Sequence, residues 1–290
     1  MKRSILLLAI CLGIGVGSAR ADAPPSRAEF SKDPVIKLGV FATACSAPQV
    51  KALLTNDRSF DINAYPATLT PVQLAMARLL KAIVAFDLSY QNACLATIST
   101  IMQDERYRWR ETGPRQNTDL TYFLRNTAGV AGNTDAYQGY RTATFVILDI
   151  LKRKPDFDIN YRLQTGHGPN YPATAAGAAA AGGLGEIWCD TLARMPEVNL
   201  EERRAASGYT PLLIAIANRK TDMVKRLIGA GADYLVQVDG IKDFAAEEIA
   251  RSVGANDILT FLIAHRQGLE LGTSCLLQPS ASSNIKPGSN

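Results

Sequence analysis

Histidine is nearly missing from this chain. Its 290 residues include two, His167 and His265. That is too few for a multi-histidine metal centre and a poor foundation for a histidine-dependent triad. Neither stands in a catalytic setting. His167 lies in the loop Thr165-Gly166-His167-Gly168-Pro169, and His265 falls near a helix end, where such a residue suits the helix dipole. A nucleophile elbow is lacking, and so is a phosphate loop behind a strand. Gly182-Gly183-Leu184-Gly185 follows a helical segment, so its context is wrong for a nucleotide. The acid pairs Glu201-Glu202 and Glu247-Glu248 read as solvated faces. An enzyme would have no residues to work with, and neither a cofactor nor a metal site is implied.

Long apolar runs are also missing after the first residues, so no membrane span is expected. The exception is the start. Lys2 and Arg3 precede an apolar run from Ile5 to Val16, and Ala19-Arg20-Ala21 has the small-x-small form of a cleavage site. This is the pattern of a secretory signal peptide over residues 1–21, with the mature protein starting at Asp22 in the periplasm. Cys11 is a weak lipidation candidate, because Ile10 is a poor residue before such a site. An excess of one charge is lacking too. The whole chain carries a net +4, and removal of Lys2, Arg3 and Arg20 leaves about +1. Such a chain has no general attraction for nucleic acid or anionic lipid. One stretch, Arg106 to Arg115, interleaves Tyr107 and Trp109 with arginines in the manner of single-strand binders. It is expected to be a solvated insertion, and nucleic acid is not an expected partner.

Repetition is what the chain does have. Gly208-Tyr209-Thr210-Pro211-Leu212-Leu213-Ile214-Ala215-Ile216-Ala217 is followed by Met223-Val224-Lys225-Arg226-Leu227-Ile228 and Gly229-Ala230-Gly231-Ala232-Asp233. Thr210 suits a helix cap and Pro211 a first turn, where its missing N–H is not needed. Ala215 and Ala217 keep the helix thin, and Gly231 suits the left-handed turn that closes a second helix. Thr70-Pro71-Val72-Gln73-Leu74-Ala75-Met76 repeats the opening. Asp61-Ile62-Asn63, Asp158-Ile159-Asn160 and Val198-Asn199 repeat the ending.

These residues resemble the ankyrin repeat, strongly at residues 201–266. The resemblance implies an all-α solenoid of about six helix-turn-helix repeats with finger loops. Val35 to Leu54 forms a degenerate first repeat. Helices near Cys94–Met102, Asp119–Asn126 and Ala143–Lys152 belong to two expanded ones. Ala175–Ala181 pairs with Glu186–Leu192. Ala245–Ala250 with Ile258–Ile263 makes a terminal cap whose Glu247 faces water. The expected organisation is a signal peptide at 1–21, a flexible leader at 22–32, the repeat domain at 33–267 and an irregular tail at 268–290.

Ankyrin repeats bind through finger loops and first helices. Carried onto this chain, that surface comprises Tyr65, Tyr161, Arg162, His167, Asn170, Tyr171, Arg203, Arg204, Tyr209, Ala217, Asn218, Tyr234 and Asp239. Tyr and Arg are common anchors of protein interfaces, although a tyrosine that packs between adjacent fingers would never meet a partner. Four cysteines follow the signal segment: Cys45, Cys94, Cys189 and Cys275. Repeat geometry favours Cys45–Cys94, which lie in neighbouring repeats, and leaves Cys189–Cys275, which requires the tail to fold back. Alternatively, Cys189 is simply a small buried residue beside Trp188. The function implied is a non-catalytic periplasmic interaction module for another protein, a toxin, effector or periplasmic enzyme, with an immunity protein as the sharpest form. The alternative is a structural or scaffolding role at the envelope.

Overall fold

The computed structural model describes residues 32–275 except 67, 111–116, 128–129, 131–132, 163–173, 204–207, 239–243, 270–271 and 274. Among these residues the chain forms six consecutive helix pairs. They are α1 (Pro34–Thr43) with α2 (Ala47–Asn56), α3 (Pro71–Val84) with α4 (Leu88–Gln103), and α5 (Asp119–Arg125) with α6 (Thr134–Lys152). Then follow α7 (Ala175–Gly182) with α8 (Gly185–Asp190), α9 (Pro211–Ala217) with α10 (Thr221–Gly229), and α11 (Ala245–Ser252) with α12 (Asn256–Arg266). The described residues fall into two compact units, 32–162 with 174–178, and 179–275.

Each unit is built by like packing on like. In the first, first helices α1, α3 and α5 stack in sequence and second helices α2, α4 and α6 do the same. In the second, α9 packs on α11, while α8 packs on α10 and α10 on α12. The pattern follows from the sequence. Thr70, Thr118, Thr174 and Thr210 each accept from the N–H three residues on, at 3.0, 3.2, 3.2 and 3.5 Å. The helix therefore starts where the hydroxyl satisfies an otherwise unpaired donor. Pro34, Pro71 and Pro211 occupy first turns. Buried aliphatics then line each helix, among them Leu79, Ile83, Ile98, Ile101, Leu227 and Leu262, all at 0% exposure.

A single left-handed residue closes the hairpin turn of five pairs: Cys45, Phe86, Gly183, Arg219 and Gly254, with φ from 54° to 81°. Glycine enters this region without steric cost, and a bulky side chain there is uncommon. Phe86 is held by its surroundings, with its N–H bonded to Ile83 O at 3.2 Å and the next N–H, of Asp87, to Ala82 O at 3.0 Å.

Two helices begin earlier than the apolar periodicity predicts. α4 starts at Leu88, because the Asp87 carboxylate accepts from Tyr90 N–H at 2.9 Å, and α6 starts at Thr134 under Asn133, which accepts from Ala136 N–H at 3.1 Å. Glu247 corrects a second expectation. It is 8% exposed and does not face water, because its Oε1 accepts from Arg266 Nε at 2.8 Å. A buried carboxylate requires such a partner. The basic stretch is the third correction. Tyr107 and Trp109 are 6% and 5% exposed, so the aromatics of residues 106–110 pack inside the fingers while Arg108 and Arg110 stay exposed, and the described part of the stretch is not a solvated insertion.

Candidate partner-binding surface

The fingers grow from a short polar device repeated along the chain. Asp57, Asp61, Asp104, Asp158, Asn199 and Asp233 each accept, through a side-chain oxygen, from the N–H two residues on. All six bonds lie between 2.8 and 3.0 Å. These are Asx turns, in which a side chain replaces one backbone hydrogen bond and reverses the chain. Tyr107-Arg108-Trp109-Arg110 stands where Phe60-Asp61-Ile62-Asn63 and Phe157-Asp158-Ile159-Asn160 stand in the neighbouring repeats. The basic stretch is thus a finger in which arginines replace the usual acid and amide.

Side chains staple adjacent fingers within the first unit. Asn63 donates to Arg106 O at 2.8 Å and accepts from Arg108 N–H at 2.8 Å. Trp109 Nε1 donates to Asp156 Oδ1 at 3.1 Å, and Arg110 donates to Asp156 O at 2.9 Å. Lys154 Nζ reaches Asp104 O at 3.2 Å. Burial pulls the Lys154 ammonium below its ordinary value, opposed by Asp104 and Asp156. The Arg106 hydrogen bond holds the Asp104 carboxyl below its ordinary value. In the second unit, Asp233 N–H donates to Glu201 Oε1 at 2.8 Å and Arg203 Nη1 to Gln237 O at 2.8 Å.

Behind the first unit's fingers lies a buried polar knot. Thr70 donates to Asp119 Oδ1 at 2.7 Å, Tyr107 donates to Asp119 Oδ2 at 2.8 Å, and Gln73 Nε2 donates to Asn117 O at 3.1 Å. Burial raises the Asp119 carboxyl to about 6, against the opposing pull of the hydrogen bonds from Thr70, Tyr107 and Gln73. Burial also pushes the Tyr107 phenol well up. The knot ties the cap of α3 to the first residue of α5 and to the intervening finger. Among the described residues no group of three or more His, Cys, Asp or Glu has the arrangement to hold a metal ion.

The residues expected to meet a partner divide by environment. In the first unit Tyr65 is 47% exposed and Arg162 is exposed. Tyr161 is half-buried, its ring edge-on to Trp109 at 5.2 Å and beneath the Arg110 guanidinium at 5.4 Å. Tyr161 thus packs between fingers. In the second unit Arg203 is exposed, while Tyr209, Ala217, Asn218 and Tyr234 are half-buried. Asn218 turns back to Ile214 O at 2.8 Å, and Tyr234 sets its ring against His265 at 4.8 Å. His265 therefore supports a finger as well as ending α12. His167, Asn170, Tyr171, Arg204 and Asp239 lie outside the described residues, as do the signal segment and leader over 1–31 and the tail after Cys275. Sequence reasoning missed Asp156 and Asn63, the hubs of the finger staples. Their signal is their place beside the Asx turns: Asn63 closes the Asp-Ile-Asn ending, and Asp156 stands two residues before Asp158.

Both cysteine pairings expected from repeat geometry form. Cys45–Cys94 has its Cα atoms 4.4 Å apart and joins the first hairpin turn to α4. Cys189–Cys275, at 4.9 Å, brings the tail back to α8.

A chain built of short antiparallel helix pairs, capped by threonine and linked by Asx-turned fingers, belongs to the helix-repeat class. The ankyrin-repeat family model matches residues 207–239. The crystal structure of the ankyrin repeat domain of Bcl-3, a unique member of the IkappaB protein family, is 18% identical to this chain. The match covers 87% of this chain and 89% of that one, with a TM-score of 0.55. A search of curated proteins finds no match. The chain has the fold of an ankyrin repeat domain.

Proposed function

We propose that this chain is an exported, non-catalytic binding module that inhibits or escorts one specific protein, in its sharpest form an immunity factor against a delivered toxin. The observation that carries this reading is the rigid finger edge. Cross-finger hydrogen bonds hold the loops in place, and aromatic and arginine side chains stand at their margins, Tyr65 and Arg162 in one unit and Arg203 and Tyr209 in the other. A preordered surface loses little entropy on binding, and Tyr and Arg supply most hot spots. Repeats of this kind present their loops to protein partners. Two disulfides fit an oxidising compartment, and the apolar start of the sequence fits export to one. Among the described residues no helix is long and apolar enough to cross a membrane, in keeping with a partner met away from the bilayer core.

The test is affinity capture from envelope extract with the oxidised protein as bait, followed by measured affinity for whatever is recovered at one-to-one stoichiometry. Replacing Tyr171 and Tyr209 together with Ala should weaken that complex by at least about 2 kcal/mol, the hot-spot scale, with helix content unchanged by circular dichroism. Unchanged affinity would move the site off the fingers. Diffuse, salt-sensitive envelope association with no stoichiometric partner would favour the scaffolding alternative and end the inhibitor reading.

A further inference from the structure

The two disulfides sit in unlike surroundings. Cys45 and Cys94 are 4% and 0% exposed, sealed between neighbouring repeats. Cys189 on α8 is also buried, but its partner Cys275 is partly exposed on a segment that lies back across α10. Among the described residues, one backbone hydrogen bond ties that segment to α10. Thr273 N–H donates to Lys225 O at 2.9 Å. Gly272 crosses Gly229 so closely that a Cβ on Gly229 would stand 2.2 Å from Thr273 O, and one on Gly272 would stand 2.3 Å from Gly229 N. Two glycines make the crossing possible, and neither contributes a side chain to hold it. Beside the bond stands a cation: Arg226 Nη1 lies 3.4 Å from Cys189 Sγ. The same guanidinium reaches Asp222 at 3.0 Å and Glu186 at 3.8 Å, which fixes it against the sulfur.

We propose that Cys189–Cys275 is a reversible thiol–disulfide exchange site, opened by a dithiol reductant, and that Gly272, Thr273 and Cys275 act as a strap whose release uncovers the surfaces of α8 and α10. A thiolate of the dithiol attacks Cys275 Sγ, the accessible sulfur. The Cys189–Cys275 bond breaks, and its electron pair leaves on Cys189 Sγ as a thiolate stabilised by Arg226. The second thiol of the dithiol then attacks the mixed disulfide and frees Cys275. The dithiol is oxidised to a disulfide, and its two protons and two electrons end on Cys189 and Cys275. Cys45–Cys94 lacks the accessible sulfur that the first step requires, so it stays closed. This inference does not depend on the protein having the partner proposed above.

The experiment treats the folded, oxidised protein with graded dithiothreitol, alkylates it at intervals, and follows each cysteine by peptide mass spectrometry. Cys189 and Cys275 should open at least about ten-fold faster than Cys45 and Cys94, with far-ultraviolet circular dichroism unchanged. Arg226→Gln should slow that opening several-fold by removing the cation beside the leaving sulfur. Gly229→Ala, in which the strap cannot seat, should leave Cys189 and Cys275 open to alkylation without reductant. Simultaneous opening of both pairs, earlier opening of Cys45–Cys94, or loss of helix signal with the first opening would each overturn the proposal. So would an unaffected rate in Arg226→Gln.

Discussion

The first unit and the second solve the same packing problem with different materials. In the first, α3, α4 and α6 run 14, 16 and 19 residues. In the second, α8, α9 and α10 run 6, 7 and 9. The first unit also buries a polar knot, with Thr70, Gln73, Asn117, Thr118, Asp119 and Thr121 all buried where the start of the 14-residue α3 meets the seven-residue α5. Short helices have less to bury. The second unit relies on an unmixed apolar helix, Pro211 to Ile216, and on the returning tail. The difference teaches that buried polarity follows helix starts and not helix length: Thr70 and Tyr107 pair with Asp119, and the cap Thr118 with Thr121, where α3 and α5 begin.

The comparison breaks most readily at an aromatic of the long-helix unit. Phe123 is 0% exposed and stacks on Tyr140 with ring centroids 4.7 Å apart. Phe123→Ala should cost about 3–5 kcal/mol. Urea unfolding followed by hydrogen exchange should place the loss in residues 32–162 and spare protection in α9 to α12. Equal loss in both regions would mean that they unfold as one. Removing the sealed disulfide comes next. Cys45→Ser with Cys94→Ser opens a closure of sequence separation 49, and should cost about 2–4 kcal/mol, read from the thermal midpoint against the oxidised parent.

The polar knot sharpens the contrast through pH. Asp119 has a folded-state value of about 6 against an ordinary 3.8. Between those values the folded chain keeps a proton that the unfolded chain gives up. The stability from this group is therefore complete below about pH 4 and is lost as pH rises through about 6, by on the order of 2–3 kcal/mol. Asp104, held down by Arg106, acts in the opposite sense. The test is therefore the difference between the parent and Asp119→Asn in urea midpoints at pH 4 and pH 7. A parallel pH dependence in the two proteins would contradict the assignment. The smallest effect compares equivalent caps. Thr210→Ala should cost about 1 kcal/mol, the usual value of a cap. Thr70→Ala should cost more, because it also takes a donor from buried Asp119.

Much of this architecture was legible in advance. The Thr-Pro openings located the first helices α3 and α9, and the Asp-Ile-Asn endings located two fingers, because caps and Asx turns are local devices whose atoms lie within three residues. The first turns of α4 and α6 were hidden, since polar caps at Asp87 and Asn133 start those helices before any apolar period begins. Residues 106–110 concealed a finger because arginines occupy positions that an acid and an amide fill elsewhere. The burial of Glu247 was unreadable because its partner, Arg266, lies 19 residues away. The tyrosine row was visible, but its division into Tyr65 at the surface and Tyr161 against Trp109 depends on neighbours from another repeat. Such long-range pairing leaves no local trace.

Cys189–Cys275 also decides how the molecule would bear a mechanical load. The bond closes a covalent loop with a sequence separation of 86, and α9 through α12 lie inside it. A pull on the C-terminus enters at Cys275 and passes through sulfur to α8, so the four helices between feel no tension along their backbone. With the bond opened, the same pull would reach α12 first and peel the repeats one pair at a time.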